Sequence, residues 1–300
     1  MRRAWRTAAA LLAAALACKP DFGPNDGLVT SPLVLAVKAE PPEAAPGMAA
    51  VYTALAVGSS APSSAIVWRF CTAPKSLGDD NVVSPACFDA DSLVAAGAGS
   101  PVTAATPKDG CSVFGPATAS AGARPPDPDG TGGYYQPLRV DWAGADPTFY
   151  LARIECGLAG ASSAIATQFA HAYVANANPH LTPLVATSSG NPVSLSSVPA
   201  NGRVDFSIGW GASDAEIYAY YDPSSQTLIT KRESMEVTWR ASGGAFDTES
   251  TGRSETDSAT TTANGWTAPS TAGPLQVWVV LRDSRGGVDF ATYGVDVETP

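Results

Sequence analysis

Charge, histidine and long hydrophobic runs are all scarce in this 300-residue chain. Only 15% of its residues are Asp, Glu, Lys or Arg. A long-helix or coiled-coil protein draws about half its residues from Ala, Glu, Lys, Leu and Arg, so that class is excluded. Lys and Arg number 18 against 28 Asp and Glu, and no basic cluster offsets the excess. Such a surface repels phosphate backbones, which argues against a nucleic-acid partner. The two histidines, His171 and His180, do not form the His-x-x-x-His spacing of a metal site. Gly-x-Ser-x-Gly, Walker and Ser-x-x-Lys motifs are missing, so no known catalytic signature can be named and the expectation is a protein that is not an enzyme. Beyond one short N-terminal run, no apolar stretch approaches the roughly 20 residues of a membrane helix.

That N-terminal run is informative. Arg2, Arg3 and Arg6 precede an unbroken stretch of Ala, Leu and one Thr from Thr7 to Ala17. A basic start, an apolar run of about ten residues and a small residue before the break describe a secretory signal peptide. Ala15-Leu16-Ala17-Cys18 resembles the lipobox of bacterial lipoproteins, although the family prefers Leu where Ala15 stands and a small residue where Leu16 stands. The resemblance implies a diacylated Cys18 as the mature N-terminus, and two chains suffice for a stable anchor, since each buried CH₂ contributes about 0.8 kcal/mol. Lys19, rather than the Asp that this family associates with inner-membrane retention, implies the outer membrane. Ordinary signal-peptidase cleavage, giving a periplasmic or secreted protein, is the alternative. Removing residues 1–17 takes three Arg from the 18 basic residues, leaving 15 against 28 acids and a net charge of −13.

Four further cysteines, Cys71, Cys87, Cys111 and Cys156, form an even set in an exported chain, which reads as two disulfides. Three pairings are open. Cys71–Cys87 with Cys111–Cys156 is favoured, the first closing a short excursion after a strand and the second tying a long loop back.

Strand-like segments occur in one order twice. In the first half, Val51, Thr53, Leu55 and Val57 share a face at period two, followed by Ile66, Trp68 and Phe70. In the second half, Val204, Phe206, Ile208 and Trp210 are followed by Met235, Val237 and Trp239. Val67-Trp68-Arg69 and Thr238-Trp239-Arg240 read as one strand in two copies. Farther on, Phe149 to Cys156 matches Leu275 to Arg282, after loops at Tyr134–Pro137 and Trp266–Pro269. Last strands are expected at Thr167–Val174 and Val288–Val297. Short antiparallel strands with an inward Trp on the third describe an immunoglobulin-like sandwich. The expected fold is therefore all-β, with two tandem immunoglobulin-like β-sandwich domains after a signal peptide. The expected divisions are 1–17 signal peptide, 18–31 lipidated Cys and tether, 32–178 first domain with a long disulfide-held insertion at about 88–134, and 179–300 second domain. Composition favours partial disorder in the insertion.

Trp239 to Phe246, Asn264 to Pro269 and Val277 to Gly287 are similar to bacterial Ig-like modules of the PKD and cadherin-like kind, in which a Trp-x-Ala-Pro loop leads to a strand ending Asp-x-x-Gly-Gly. With Ala39 to Pro42 and Trp68 to Pro74, the layout resembles surface lipoproteins of myxobacteria. The resemblance implies a fold and a location and says little about biochemical role.

Two ligand chemistries have candidate residues. Asp127-Pro128-Asp129-Gly130 places two carboxylates two apart, which suits calcium, without the closing Glu of an EF-hand; apart from this possibility no cofactor is expected. Trp278, with Tyr218 and Tyr220, is the candidate glycan-stacking face. Trp278 alternates away from Val277 and Val279, so its side of the strand is either exposed or covered by the partner domain. The expected function is a non-catalytic envelope lipoprotein acting in structure, adhesion or binding, membrane-held through Cys18, with an unknown protein or glycan partner. A carbohydrate-binding accessory lipoprotein is the alternative, and an unrecognised enzyme is a more distant one.

Overall fold

Period-two burial builds the sheets. The structure is a computed structural model that describes residues 27–58, 65–78, 80–116 and 129–299; residues 1–17, expected as a signal peptide, Cys18 and Asp127 lie outside the described residues. From the N-terminal side come β1 (Leu33–Glu40), β2 (Glu43–Ala44), β3 (Ala49–Val57), β4 (Val67–Cys71), β5 (Leu93–Ala98), β6 (Val102–Ala105), β7 (Gly133–Asp141) and β8 (Thr148–Glu155). They form two sheets, ordered β1-β3-β6 and β2-β8-β7-β4-β5. Next come β9 (Val185–Ser188), β10 (Asn191–Pro192), β11 (Val198–Pro199), β12 (Arg203–Gly209), β13 (Ile217–Asp222), β14 (Thr227–Arg232), β15 (Met235–Ala241), β16 (Ala245–Phe246), β17 (Ser250–Arg253), β18 (Thr261–Thr267), β19 (Gly273–Asp283) and β20 (Val288–Glu298). These give sheets β10-β9-β12-β18-β16 and β11-β20-β19-β15-β17, with β13-β14 a separate hairpin.

The five-stranded sheets β2-β8-β7-β4-β5 and β11-β20-β19-β15-β17 share one neighbour order. In each, a two-residue strand pairs parallel with the last long strand (Glu43 opposite Arg153, Val198 opposite Val297). The fourth strand in each order carries the buried tryptophan of an immunoglobulin-like sandwich, Trp68 on β4 and Trp239 on β15. Each buried indole N–H has an acceptor, Gly99 O at 2.6 Å and Thr251 Oγ1 at 2.9 Å, which removes the cost of burying a donor. Phe206 and Trp266 close the second core, and Tyr52, Leu138 and Val140 the first.

This order corrects the strand matching read from sequence. The partner of β19 is β7, not Phe149–Cys156, because β7 and β19 flank the tryptophan strands. Tyr134–Pro137 is strand rather than loop, and Trp266-Thr267 is the end of β18. On β3 the expected inward face is the outward one. Tyr52 faces the first core, while Leu55 and Val57 are buried against the second domain, so both faces of β3 are apolar. The expected last strand at Thr167–Val174 is instead the helix Ser163–Ala172. Four alanines in that stretch favour a helix. The Ser162 hydroxyl accepts from Ile165 N, and the Phe169 and Tyr173 rings, four residues apart, pack in a tilted contact. Within the supposed insertion, β5 and β6 are framework strands, paired to β4 and β3 in different sheets. Gly97 and Gly99, both at positive φ, turn the chain between the two sheets.

The two disulfides are Cys71–Cys87 and Cys111–Cys156, the favoured pairing.

The sandwiches meet over an apolar cluster of Ala36, Leu55 and Val57 against Trp278, Val280 and Val288. Val29 joins this cluster, and Gly27 and Val29 exchange backbone hydrogen bonds with Ala241, so the chain entering β1 first lies along β15. The stretch between the domains is pinned by side chains from both. Asn178 donates to Ala39 O at 2.6 Å and accepts from Val288 N at 2.8 Å. Glu43 and Glu216 take the backbone N–H groups of Asn176 and Ala177. Arg285, only 1% exposed, donates to Glu233 at 2.6 Å, Glu216 at 2.7 Å and Val174 O at 2.6 Å. Burial, reinforced by Asp283, pushes the Glu233 carboxyl from 4.5 up to about 7.

Two outcomes follow from this junction. Arg285→Met leaves the buried Glu233 and the partly exposed Glu216 without their cation, and urea unfolding at neutral pH is expected to show a loss of about 3–5 kcal/mol. Glu233 binds its proton more tightly in the folded chain than in the unfolded one. Its contribution is therefore fully present below 4.5 and is lost as pH rises through about 7. The melting temperature of the native chain is expected to fall across that window, and Glu233→Gln to flatten the slope.

Candidate functional site

Proline and a disulfide together interrupt a sheet. The β4–β7 ladder ends at Phe70 opposite Leu138. The next β7 residue whose backbone would face β4 is Pro137, which has no N–H to donate. The carbonyl of Cys71 is taken instead by the Gln136 side chain at 3.1 Å. Cys71 is bonded to Cys87, and the chain between them leaves the sheet before returning as β5. Strand β7 runs on beyond the end of β4 at Cys71 for four more residues, Gly133 to Gln136.

A cavity of about 420 Å³ lies against this open edge. Pro74 and Val83 come from the disulfide excursion, Leu151 from β8, Phe114 from the short helix Gly110–Phe114, and Tyr220 from the β13-β14 hairpin. The second domain thus supplies one wall. Its hairpin is held there by Tyr221 N donating to Gly130 O at 2.7 Å. Gly130 is required at this crossing, because a Cβ would collide with the Tyr221 carbonyl and the Tyr220 ring. Gly133 is required for another reason, since the Arg153 guanidinium occupies the space of its Cβ.

Charge around the cavity is organised by Arg153, which is buried and donates to Glu43 at 2.8 Å and to Thr131 Oγ1 at 2.8 Å. Asp129 accepts from Thr131 N and Oγ1 at 2.8 and 2.6 Å, and its other oxygen lies 3.6 Å from Arg153. Tyr134 is 3% exposed, and its hydroxyl has no hydrogen-bond partner among the described residues. Burial, with Asp129 nearby, pushes that hydroxyl up to about 12, so it remains a neutral donor.

The sequence candidates divide here. Asp129 and Tyr220, nominated for different ligands, line the same cavity. The Asp129 carboxylate is already engaged by Thr131 and Arg153. Among the described residues no group of three or more His, Cys, Asp or Glu side chains is placed to hold a metal. The glycan face does not assemble. Trp278 is buried in the cluster between the domains, and Tyr218 is buried with the Arg285 guanidinium 4.6 Å from its ring centre. The period-two reading placed Trp278 correctly on the side away from its own core; the partner domain covers that side. Tyr220 alone reaches a cavity, with Lys231 Nζ 4.4 Å from its ring centre. Sequence reading passed over Tyr134, Pro137 and the Cys71–Cys87 excursion as parts of a site. The available signal was a proline inside an otherwise alternating strand.

No protein-family model and no curated protein matches this chain. Among solved structures, it is similar to the fibronectin(III)-like modules of Clostridium thermocellum CbhA at 12% identity and a TM-score of 0.24, covering 88% of this chain and 95% of that one. It is similar to the Yersinia pseudotuberculosis adhesin InvE at 12% identity and a TM-score of 0.23, covering 89% of this chain and 60% of that one. Extracellular cadherin domains 3–6 of protocadherin gamma B2 give 8% identity and 0.20, covering 89% of this chain and 47% of that one. Likeness at these scores carries no argument about role. The assignment of tandem immunoglobulin-like sandwiches stands on the strand ladders and the two buried tryptophans.

Proposed function

We propose that this chain is a non-catalytic binding module of the bacterial cell envelope, anchored to the outer membrane by acyl chains on Cys18. The observation that carries the binding role is the cavity at the β7 edge. It is walled by both domains and lined largely by apolar side chains. Concave apolar sites with a few convergent polar groups are the usual form of a recognition site. The buried Arg285 cluster and the pinned linker hold the two walls in fixed relation, which limits the ordering cost of binding. The anchor is supported by the basic start, the apolar run from Thr7 and the lipobox-like Ala15 to Cys18. A carbohydrate reading retains Tyr220 of its three aromatic candidates.

Intact mass and detergent partitioning of the native chain beside Cys18→Ala test the anchor. The expected result is a mature N-terminus at Cys18 carrying acyl chains, lost together with detergent-phase partitioning in the variant. An unmodified, water-soluble native chain would remove the anchor and leave a periplasmic or secreted module.

A further inference from the structure

Resting on the reading of this cavity as a recognition site, we infer that it is an open strand position beside β7, which receives an extended peptide segment of a partner protein. Gly132 O accepts from Cys156 N, and the register runs on from Gly133 opposite Glu155. In an antiparallel ladder, hydrogen-bonded residues alternate, so Tyr134, Gln136 and Leu138 bond to β8. The N–H and C=O groups of Gly133 and Tyr135 therefore point to the other side, beyond Cys71, where β4 has ended. These are the groups an added strand engages.

The cavity lining agrees with a position at the edge rather than on a face. Side chains on consecutive β7 residues point to opposite faces. Tyr134 belongs to the face that carries Leu138 and Val140 into the core, whereas Pro137, opposite Leu151, belongs to the other. Both Tyr134 and Pro137 line the one cavity, so it wraps the edge of β7. A peptide strand there sends alternate side chains to either face. One side chain meets Pro74, Val83 and Leu151, which suits an apolar residue. The opposite side meets Val113 and Phe114, which suits a second apolar residue. A free sugar or an apolar small molecule fills the volume without using the row of backbone groups. That row decides for an extended peptide.

The test uses the full mature chain and the probe acetyl-Thr-Val-Tyr-Val-Thr-amide, titrated to millimolar concentration by calorimetry. Two N-methylated forms of the probe remove backbone donors from alternate residues. Methylation on the residues facing β7 is expected to weaken binding at least about tenfold, and methylation on the intervening residues to leave it unchanged. Val82, a cavity residue 74% exposed at the rim, gives a protein-side control. Val82→Arg is expected to abolish binding with an unchanged melting temperature. Failure of the parent probe to bind, equal effects of the two methylation patterns, or binding indifferent to Val82→Arg would each overturn the inference. Chitobiose is titrated in parallel. Chitobiose binding that is lost in Val82→Arg, with no peptide binding, would overturn the strand position while the binding-module reading stands.

Discussion

The guanidinium of Arg285 is the interaction on which the arrangement of this molecule depends. It is buried at the junction of two sandwiches, gathers Glu216, Glu233 and the Val174 carbonyl around itself, and lies over the ring of Tyr218. A buried charge is tolerated only when it is paired and hydrogen-bonded on all sides. Meeting that demand draws the β13-β14 hairpin, the chain leaving the first domain and the β19-β20 turn to one place. Two sandwiches in sequence are expected to move relative to one another unless their interface is substantial. Here the apolar contact around Trp278 supplies area, and the ionic cluster supplies a single register.

That register gives the cavity its shape. With the hairpin held, Tyr220 and the Tyr221–Gly130 hydrogen bond close one end of a gap that the first domain leaves in its own sheet. The gap has a covalent origin and a conformational one. The Cys71–Cys87 bond carries the chain out of the sheet, and Pro137 removes the donor that would continue the ladder. Native proteins normally cover or blunt an open strand edge. Leaving four residues of β7 without β4, beside a cavity lined by Leu151 and Val83, is the departure from ordinary sandwich construction that most needs a functional explanation.

Much of the scaffold was legible because it obeys local rules. The duplicated Trp strands, the alternation on Arg203–Gly209 and Met235–Ala241, and the presence of two disulfides each follow from period-two patterning or from an even cysteine count beyond Cys18. The errors arose where local rules were ambiguous. Thr167 to Val174 alternates like a strand, yet its alanines and the Ser162 cap make it helix. Leu55 and Val57 alternate like core residues, and they are buried, but by the other domain. Tyr134 to Pro137 looked like a loop because of its proline, which an edge position tolerates.

By itself the sequence determined the class of the molecule: an acidic chain with export features, two copies of an all-β module with a central tryptophan, and two disulfides. These are consequences of composition and of side-chain periodicity, which act over a few residues. Only the tertiary structure decided that Trp278 and Tyr218 are buried, that Asp129 and Tyr220 line one cavity, and that β7 has an open edge. Each of these depends on what a partner domain or a crossing strand does to a residue remote in sequence. Alternation shows which two sides a strand has; it carries no information about what will lie against each of them.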